Sequence, residues 1–536
     1  MDKRLDARRE AWWQARQYTP EMMELAGKVL EEVRAGAEVF EALRHYPLSG
    51  GGYLGKHVLV AAYRSLTDSG RWPEDRVLLE KIRMKPMRTL SGVTTVTVLT
   101  KPYPCPGKCI FCPTDVRMPK SYLPDEPGAR RALDHDFDPY DQVSARIQAL
   151  EAVGHPTDKI ELLILGGTWS AYRDDYQEWF IRRCFDAMNG VEAASLEQAH
   201  SLNETTLHRN VGLVIETRPD QVTLREIARL RHLGVTKVQM GVQSLDDHIL
   251  ELNQRGHSVE ETRRAVALLR AAGFKLVLHW MPNLLGATPT SDREDFSRLW
   301  DDLCPDEIKI YPNQLLENAE LYEYWLRGEF KPYSTAELVD LIADIKPSIP
   351  HYCRVNRVIR DIPSTHVVEG NKRTSLRQDV HAEMKRRGTQ CQCIRCREVR
   401  VHRVKRDGLR LEHLIYQAGR MEEHFLSLVT PEDKLAGFLR LALPVDGAPQ
   451  TGLADLLNAG IIREVHIYGQ SLEVGQASQG VAQHSGLGSR LIEQAEEIAR
   501  ERGFQSLAVI SAVGTRCYYL KRGFERGDLY LVKKLH

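Results

Sequence analysis

The sequence predicts an α/β chain in three parts: a small N-terminal helical region, an incomplete parallel (βα)6 barrel of the TIM type, and a compact α+β domain. Three observations lead there. Strand-like and helix-like segments alternate from residue 92 onward, consecutive strands begin near residue 399, and 536 residues are too many for one hydrophobic core.

Residues 20–45 place Met22, Leu25, Ala26, Val29, Leu30 and Val33 at helical spacing, and 56–66 repeat the pattern. Lys81, Arg83 and Lys85 then form a basic connector. Six strand-like segments follow, at 93–100, 160–165, 211–217, 237–242, 274–280 and 307–311, with amphipathic stretches at 139–153, 221–233, 259–272 and 292–303. Repeated βα units imply a parallel sheet whose chemistry sits at the carboxyl ends of its strands. Strands at 399–405, 412–418, 423–429, 434–442 and 461–468, a helix at 488–502 and a last strand, helix and strand complete the α+β domain. The expected boundaries are 1–80, 81–350, 351–397 for a basic linker, and 398–536.

Lys plus Arg equals Asp plus Glu, 73 of each, which argues against a uniformly basic coat. Residues 351–420 nevertheless carry 17 Lys/Arg against 7 Asp/Glu. Arg354, Arg357 and Arg360 recur at three-residue spacing, followed by Lys372-Arg373, Lys385-Arg386-Arg387 and Arg395-Cys396-Arg397. Planar guanidinium donors suit phosphate oxygens, so this segment predicts an RNA backbone as partner; the alternative is a solvated charged face. No apolar run approaches the roughly 18–20 residues of a membrane span, and the N-terminus lacks a secretory pattern, so the expectation is a cytoplasmic protein without a membrane partner.

Ten cysteines in a reducing compartment are seldom disulfides, and six fall in two tight clusters. Cys184, Cys304 and Cys517 read as small core residues. The first cluster, Cys105-Pro106-Gly107-Lys108-Cys109-Ile110-Phe111-Cys112, directly follows the first barrel strand. Three thiolates on one loop can hold three irons of a [4Fe–4S] cluster and leave the fourth iron open to the amino and carboxylate groups of S-adenosylmethionine. A structural zinc knuckle is the alternative. Later strand ends offer what the cofactor needs: Gly166-Gly167-Thr168, Glu216 and Arg218, Gln239 and Gln243-Ser244, and His279. Each alone also reads as a loop or capping residue.

The second cluster, Cys391-Gln392-Cys393-Ile394-Arg395-Cys396, suits a closed zinc site with Cys353 as the candidate fourth ligand. A second iron–sulfur cluster or free thiols remain alternatives. In the last domain, Gln483-His484-Ser485-Gly486-Leu487-Gly488-Ser489 precedes a long amphipathic helix, so its backbone N–H groups and the helix terminus read as a pyrophosphate cradle. Downstream, Gly514-Thr515-Arg516-Cys517-Tyr518-Tyr519 brings paired tyrosines, of which one reads equally as a core aromatic.

The first array, with its aromatic residue before the last cysteine, resembles the radical S-adenosylmethionine superfamily, and the glycine turn with the tyrosines resembles the GNAT acetyltransferase fold. In their order, with Arg88–91 onward through Glu216-Thr217-Arg218-Pro219-Asp220, Lys309-Ile310-Tyr311-Pro312 and Arg360-Asp361-Ile362-Pro363, these motifs resemble the catalytic subunit of Elongator in its prokaryotic single-chain form. The resemblance implies a wobble-uridine tRNA carboxymethyltransferase that uses acetyl-CoA. A deoxyadenosyl radical would take hydrogen from the acetyl methyl group, the resulting carbon radical would add to carbon 5 of a flipped-out uridine, and hydrolysis of the thioester would release a carboxymethyl group. It further implies that phenols Tyr518 and Tyr519 sit near the thioester, that Lys309, Tyr311 and His279 line the shared cleft, and that the N-terminal region, Lys81, Arg83, Lys85 and the basic segment hold tRNA. The rival readings are a protein lysine acetyltransferase with a structural barrel and an RNA-binding protein without activity. Homodimerisation is left open.

Overall fold

A computed structural model describes residues 18–86, 89, 91–400, 408–468 and 486–535. Four helices open the described chain: Pro20–Arg34, Val39–His45, Lys56–Asp68 and Arg76–Ile82. The first is capped by Thr19 and turns Ala26, Val29, Leu30 and Val33 onto the third, where they build a core separate from the rest.

Seven parallel strands follow: β1 (Thr94–Leu99), β2 (Lys159–Leu165), β3 (Arg209–Thr217), β4 (Lys237–Gln243), β5 (Lys275–Trp280), β6 (Glu307–Ile310) and β7 (Arg354–Val358). They lie side by side in chain order, and β7 does not return to β1. The sheet is therefore a barrel open along one side, as the alternation of elements predicts. Its outer face packs on helices such as Val259–Ala271, whose Ser258 and Glu261 form a reciprocal cap. β7 lies inside the segment expected to be a basic linker, so the sheet has seven strands where six were expected. Its sequence, Arg-Val-Asn-Arg-Val, buries Val355 and Val358 and hides the strand behind charge.

The second sheet contains β8 (Arg410–Ala418), β9 (Met421–Val429), β10 (Leu435–Pro444), β11 (Ala459–Ile467), β12 (Ser506–Val509), β13 (Glu525–Arg526) and β14 (Leu531–Lys534), in the order β13-β14-β12-β11-β10-β9-β8. Among the described strands of this sheet β11 and β12 alone pair in parallel, and their pairing stops at Ile462 and Val509 while β11 runs on to Ile467. Past that point the two strands part. The helix Leu487–Glu501 packs on β10 and β11 beside the gap. Of the strand expected at 399–405, Val399 and Arg400 are not extended into a ladder, one bridge joins Glu398 to Leu435, and residues 401–405 lie outside the described residues.

The two sheets meet across buried charge. Arg463 of β11 reaches Asp306, just before β6, at 2.5 and 3.0 Å and Glu423 of β9 at 2.9 Å; Arg270 also reaches Glu423 at 2.9 Å. Arg440 reaches Glu464 at 3.0 Å, and Lys275 pairs with both Glu464 and Glu307. Taking such ions from water costs several kcal/mol each, which only a full set of partners offsets.

Candidate active site

The cysteine loop crosses the carboxyl end of the barrel. Cys109 is buried, and Cys105 and Cys112 are half-buried. Arg255 Nη1 lies 3.4 Å from Cys109 Sγ, and Arg218 Nη1 lies 4.0 Å from it. A hydrogen bond from Cys112, then the Arg255 and Arg218 guanidinium groups, pull the Cys109 thiol down against its burial. The environment thus favours an anionic sulfur, the form that binds iron.

Around the loop, Gly166 and Gly167 turn with φ of +140° and +89°. A Cβ on Gly166 would stand 1.8 Å from Thr100 Oγ1, so a glycine is needed for the close approach. Thr168 Oγ1 lies 3.5 Å from Cys105 Sγ. Arg218 donates to Asp220 at 2.8 Å and to the Arg255 carbonyl at 2.8 Å. Gln243 ends β4 at a φ of +74°, with its Oε1 buried and unpartnered. Strain in a non-glycine residue beside an unsatisfied amide is typical of binding positions.

Deeper in the cleft, Tyr122 donates to Glu216 Oε2 at 3.0 Å, and Glu216 Oε1 faces His279 Nδ1 at 3.4 Å. Gln239 Oε1 meets His279 Nε2 at 3.0 Å and also accepts from Lys309 Nζ. Since an amide oxygen only accepts, His279 carries its proton on Nε2. Burial, then the charges of Lys309, Arg360 and Arg255, push His279 well below its ordinary range, so it stays neutral. The ring of Tyr311 stands edge-on to His279 at 5.5 Å.

One cavity of about 960 Å³ joins this cleft to the second sheet. Its wall includes Cys112, Glu216, Gln243, His279 and Lys309, and at the other end His466, Tyr468, Ser511, Thr515 and Tyr519 around the gap between β11 and β12. Tyr519 is buried in that wall, whereas Tyr518 turns away at 88° and sits over the start of Leu487–Glu501. There a Cβ on Gly488 would lie 2.5 Å from the Tyr518 hydroxyl, and Arg522 stacks on Tyr518 at 3.5 Å while donating to Ser489 Oγ at 3.0 Å. Gly486 begins the helix at a φ of +75°. Gln483 and His484 lie outside the described residues. Gly514 does not face this gap: a Cβ there would meet Asn210 O at 2.7 Å, so it seats the second domain on β3.

The sulfurs of Cys391, Cys393 and Cys396 lie within 4.8 Å of one another, and among the described residues this is the only such group of potential ligands. Cys353 is not part of it. It sits just before β7, fully buried, its carbonyl accepts from Ile394 N–H at 2.9 Å, and burial, then nearby Cys393, push its thiol up, so it stands beside the three, where a fourth ligand is expected. Lys346, fully buried with an unpartnered Nζ, lies close enough for its charge to act on all three thiols.

The basic residues divide. Lys81, Lys85 and Lys385 are exposed. Arg83 instead donates to Gly154 O at 2.8 Å. Arg354 pairs with Glu398 at 3.0 Å and Arg360 with Glu126 at 3.0 Å, both turned into the cleft. Arg357 pairs with Asp361, Arg386 with Glu383, and Arg387 with Asp340 and Asp344, so salt-bridge lacing absorbs more of this charge than its local surplus suggests. Arg255 was missed because a lone arginine after a short helix carries no pattern.

Residues 103–299 match the Radical SAM superfamily, and 305–386 match the Radical_SAM C-terminal domain. The chain is 44% identical over 455 residues to a tRNA uridine(34) acetyltransferase of Dehalococcoides mccartyi, covering 84% of this chain and 99% of that one. It is 41% identical over 527 residues to the protein of that name from Methanocaldococcus jannaschii, covering 95% of each. The human Elongator complex protein 3 is 36% identical over 479 residues, 86% of this chain and 87% of that one. Among solved structures, the archaeal Methanocaldococcus infernus Elp3 with an N-terminal deletion superposes with a TM-score of 0.71 at 38% identity, covering 83% of this chain and 99% of that chain. With both sheets, the cysteine loop and this breadth of identity in agreement, the chain belongs to the family of the tRNA uridine(34) acetyltransferases and Elongator complex protein 3.

Proposed function

We propose that the protein is a tRNA wobble-uridine carboxymethyltransferase that draws on acetyl-CoA and S-adenosylmethionine. The observation that carries this is the single cavity reaching from Cys112 to Tyr519, which opens the cysteine loop and the gap between β11 and β12 to the same space. When bound at Cys105, Cys109 and Cys112, an iron–sulfur cluster with S-adenosylmethionine supplies one-electron cleavage to a carbon-centred radical.

The residues around it have separable tasks. Gly166, where a Cβ would strike Thr100, and Gly167 would let their backbone approach the methionyl part of the cofactor, Thr168 and Gln243 would offer it polar atoms, and Glu216 and Arg218 would present opposite charges at the mouth. Lys309, which shares one Gln239 oxygen with His279, would position the acetyl carbonyl and the base from within the cleft. Tyr519 closes the acyl gap, while Gly486, Gly488 and Ser489 receive pyrophosphate at the helix terminus beneath Tyr518. A uridine must leave the anticodon stack to reach this depth. Lys81, Lys85 and Lys385 remain exposed for the phosphate backbone.

Cys391, Cys393 and Cys396 suit one zinc ion better than an iron–sulfur cube, because their sulfurs converge within 4.8 Å. Three thiolates around a divalent ion leave one negative charge, and buried Lys346 supplies the balancing positive one.

A lysine acetyltransferase would need its acyl gap open to an outside peptide; here the gap opens into the barrel. The test is Cys109→Ser, with nucleoside mass spectrometry of tRNA incubated with acetyl-CoA and S-adenosylmethionine. Loss of 5-carboxymethyluridine with tRNA binding intact is expected. Retained modification overturns the reading.

A further inference from the structure

Beyond Ile462, β11 runs on without β12, and Glu464, His466 and then Tyr468 line the cavity there. Two of these three are engaged. Glu464 pairs with Lys275 and Arg440, and the Tyr468 hydroxyl accepts from Arg354 at 3.0 Å. His466 differs, because its Nε2 is buried with no hydrogen-bond partner. The ring is nevertheless held, stacked with Phe438 at 5.9 Å and tilted against Tyr468 at 4.3 Å. A fixed ring with an unsatisfied nitrogen in a cavity wall calls for an explanation.

The reaction supplies one. An acyl group that has joined the uridine still hangs on the sulfur of coenzyme A until water cleaves the thioester, and that water must give up a proton. The charged and phenolic neighbours at this end are unsuited to take it. Arg440 and Arg463 each leave one nitrogen unpartnered, but a guanidinium has no lone pair to offer. Burial pushes the Tyr519 phenol up, so it keeps its proton. Burial also pushes His466 down to about 4, with Glu464 opposing the fall and Lys275 and Arg354 adding to it. Its imidazole is therefore neutral near pH 7 and has one bare nitrogen, which Nε2, bonded to nothing else, can be.

We propose that His466 Nε2 takes the proton of the water that hydrolyses the acyl thioester. The proposal rests on the carboxymethyltransferase reading and assigns its last step to β11. The step balances. The water oxygen bonds to the acyl carbon as the carbon–sulfur bond breaks, one water proton passes to His466, and His466 returns it to the departing sulfur. A carboxylic acid and the thiol of coenzyme A result, and no other reactant is consumed. A weak base fixed beside the carbonyl gains from its placement what it lacks in basicity.

The test follows reconstituted full-length protein with tRNA, acetyl-CoA and S-adenosylmethionine through a single turnover. It measures 5′-deoxyadenosine, free coenzyme A thiol and the mass of the RNA product. Two variants are compared with the parent: His466→Ala, and His466→Gln, which keeps much of the shape and a hydrogen-bond acceptor but cannot carry the proton. In both, thiol release should slow about a hundredfold or more, the usual loss when an acid–base group is removed. Deoxyadenosine should form at the parent's rate, and tRNA joined to coenzyme A through an uncleaved thioester should accumulate. Added imidazole should restore release in His466→Ala, and calorimetry should show unchanged acetyl-CoA affinity. Thiol release at the parent's rate overturns the proposal. So does a parallel fall of thiol and deoxyadenosine in both variants, a loss of acetyl-CoA affinity, or a failure of imidazole to restore release. A parent that makes deoxyadenosine but no carboxymethylated uridine sinks the functional reading instead.

Discussion

Arg463 of β11 grips Asp306 through both guanidinium nitrogens, at 2.5 and 3.0 Å, with neither side chain exposed at all. Asp306 lies just before the sixth barrel strand, so this contact ties the cofactor domain to the acyl domain at a fully buried point. Replacing Asp306 with Asn leaves Arg463 and Arg440 short of a counter-charge and should cost about 3–5 kcal/mol. Thermal unfolding followed by circular dichroism measures it.

The same aspartate sets an acid limit. Burial pushes its carboxyl up, but Arg463, Arg440 and Arg270 outweigh burial and hold it well below the usual carboxylate range. A depressed folded value means that its stabilisation is complete above the unfolded value of about 3.9 and is lost as pH falls toward the folded one. The parent should therefore lose stability relative to Asp306→Asn only below about pH 4. A stability difference that instead changes between pH 5 and 7 would point to another group.

At Gly166, a methyl group would collide with Thr100 at a φ of +140° that L-residues avoid. Gly166→Ala should weaken S-adenosylmethionine binding by about 1–3 kcal/mol while leaving iron content unchanged. Equilibrium dialysis with the labelled cofactor and a colorimetric iron assay separate the two effects.

For the second thiol group, Cys393→Ser should remove zinc from a stoichiometric level to background in elemental analysis and lower the melting temperature by several degrees, at about 2–4 °C per kcal/mol. Lys346→Met should lower zinc retention under chelator, and Lys346→Arg should largely restore it, because only the charge is needed.

Gly514→Ala tests the seat between domains. Its added carbon would press on Asn210 O at 2.7 Å and Arg209 Cβ at 2.6 Å, and backbone cannot give way cheaply. A destabilisation of about 1–3 kcal/mol is expected, with acetyl-CoA binding to the folded protein unchanged.

The parts legible in sequence are those written in consecutive residues. Cys105, Cys109 and Cys112, the Gly166-Gly167 turn, and Gly486-Leu487-Gly488 at a helix start each announce a local geometry, and six of seven barrel strands follow from alternation. What stayed hidden depends on distance through space. Arg255 reaches a sulfur 146 residues earlier in the chain, and the charges of Arg270, Glu423, Arg440 and Arg463 look like ordinary surface polarity until two sheets close over them. Gly514, grouped with the tyrosines by sequence, packs against β3 instead.

The charged seam also constrains how such a chain can be rearranged. Cut near residue 398, the acyl-transfer half would carry Arg440, Arg463, Glu423 and Glu464 into solvent, and the barrel half would bare Asp306, Arg270 and Lys275 beneath its strands. Each piece would lose the partners that its buried charges have in the whole chain.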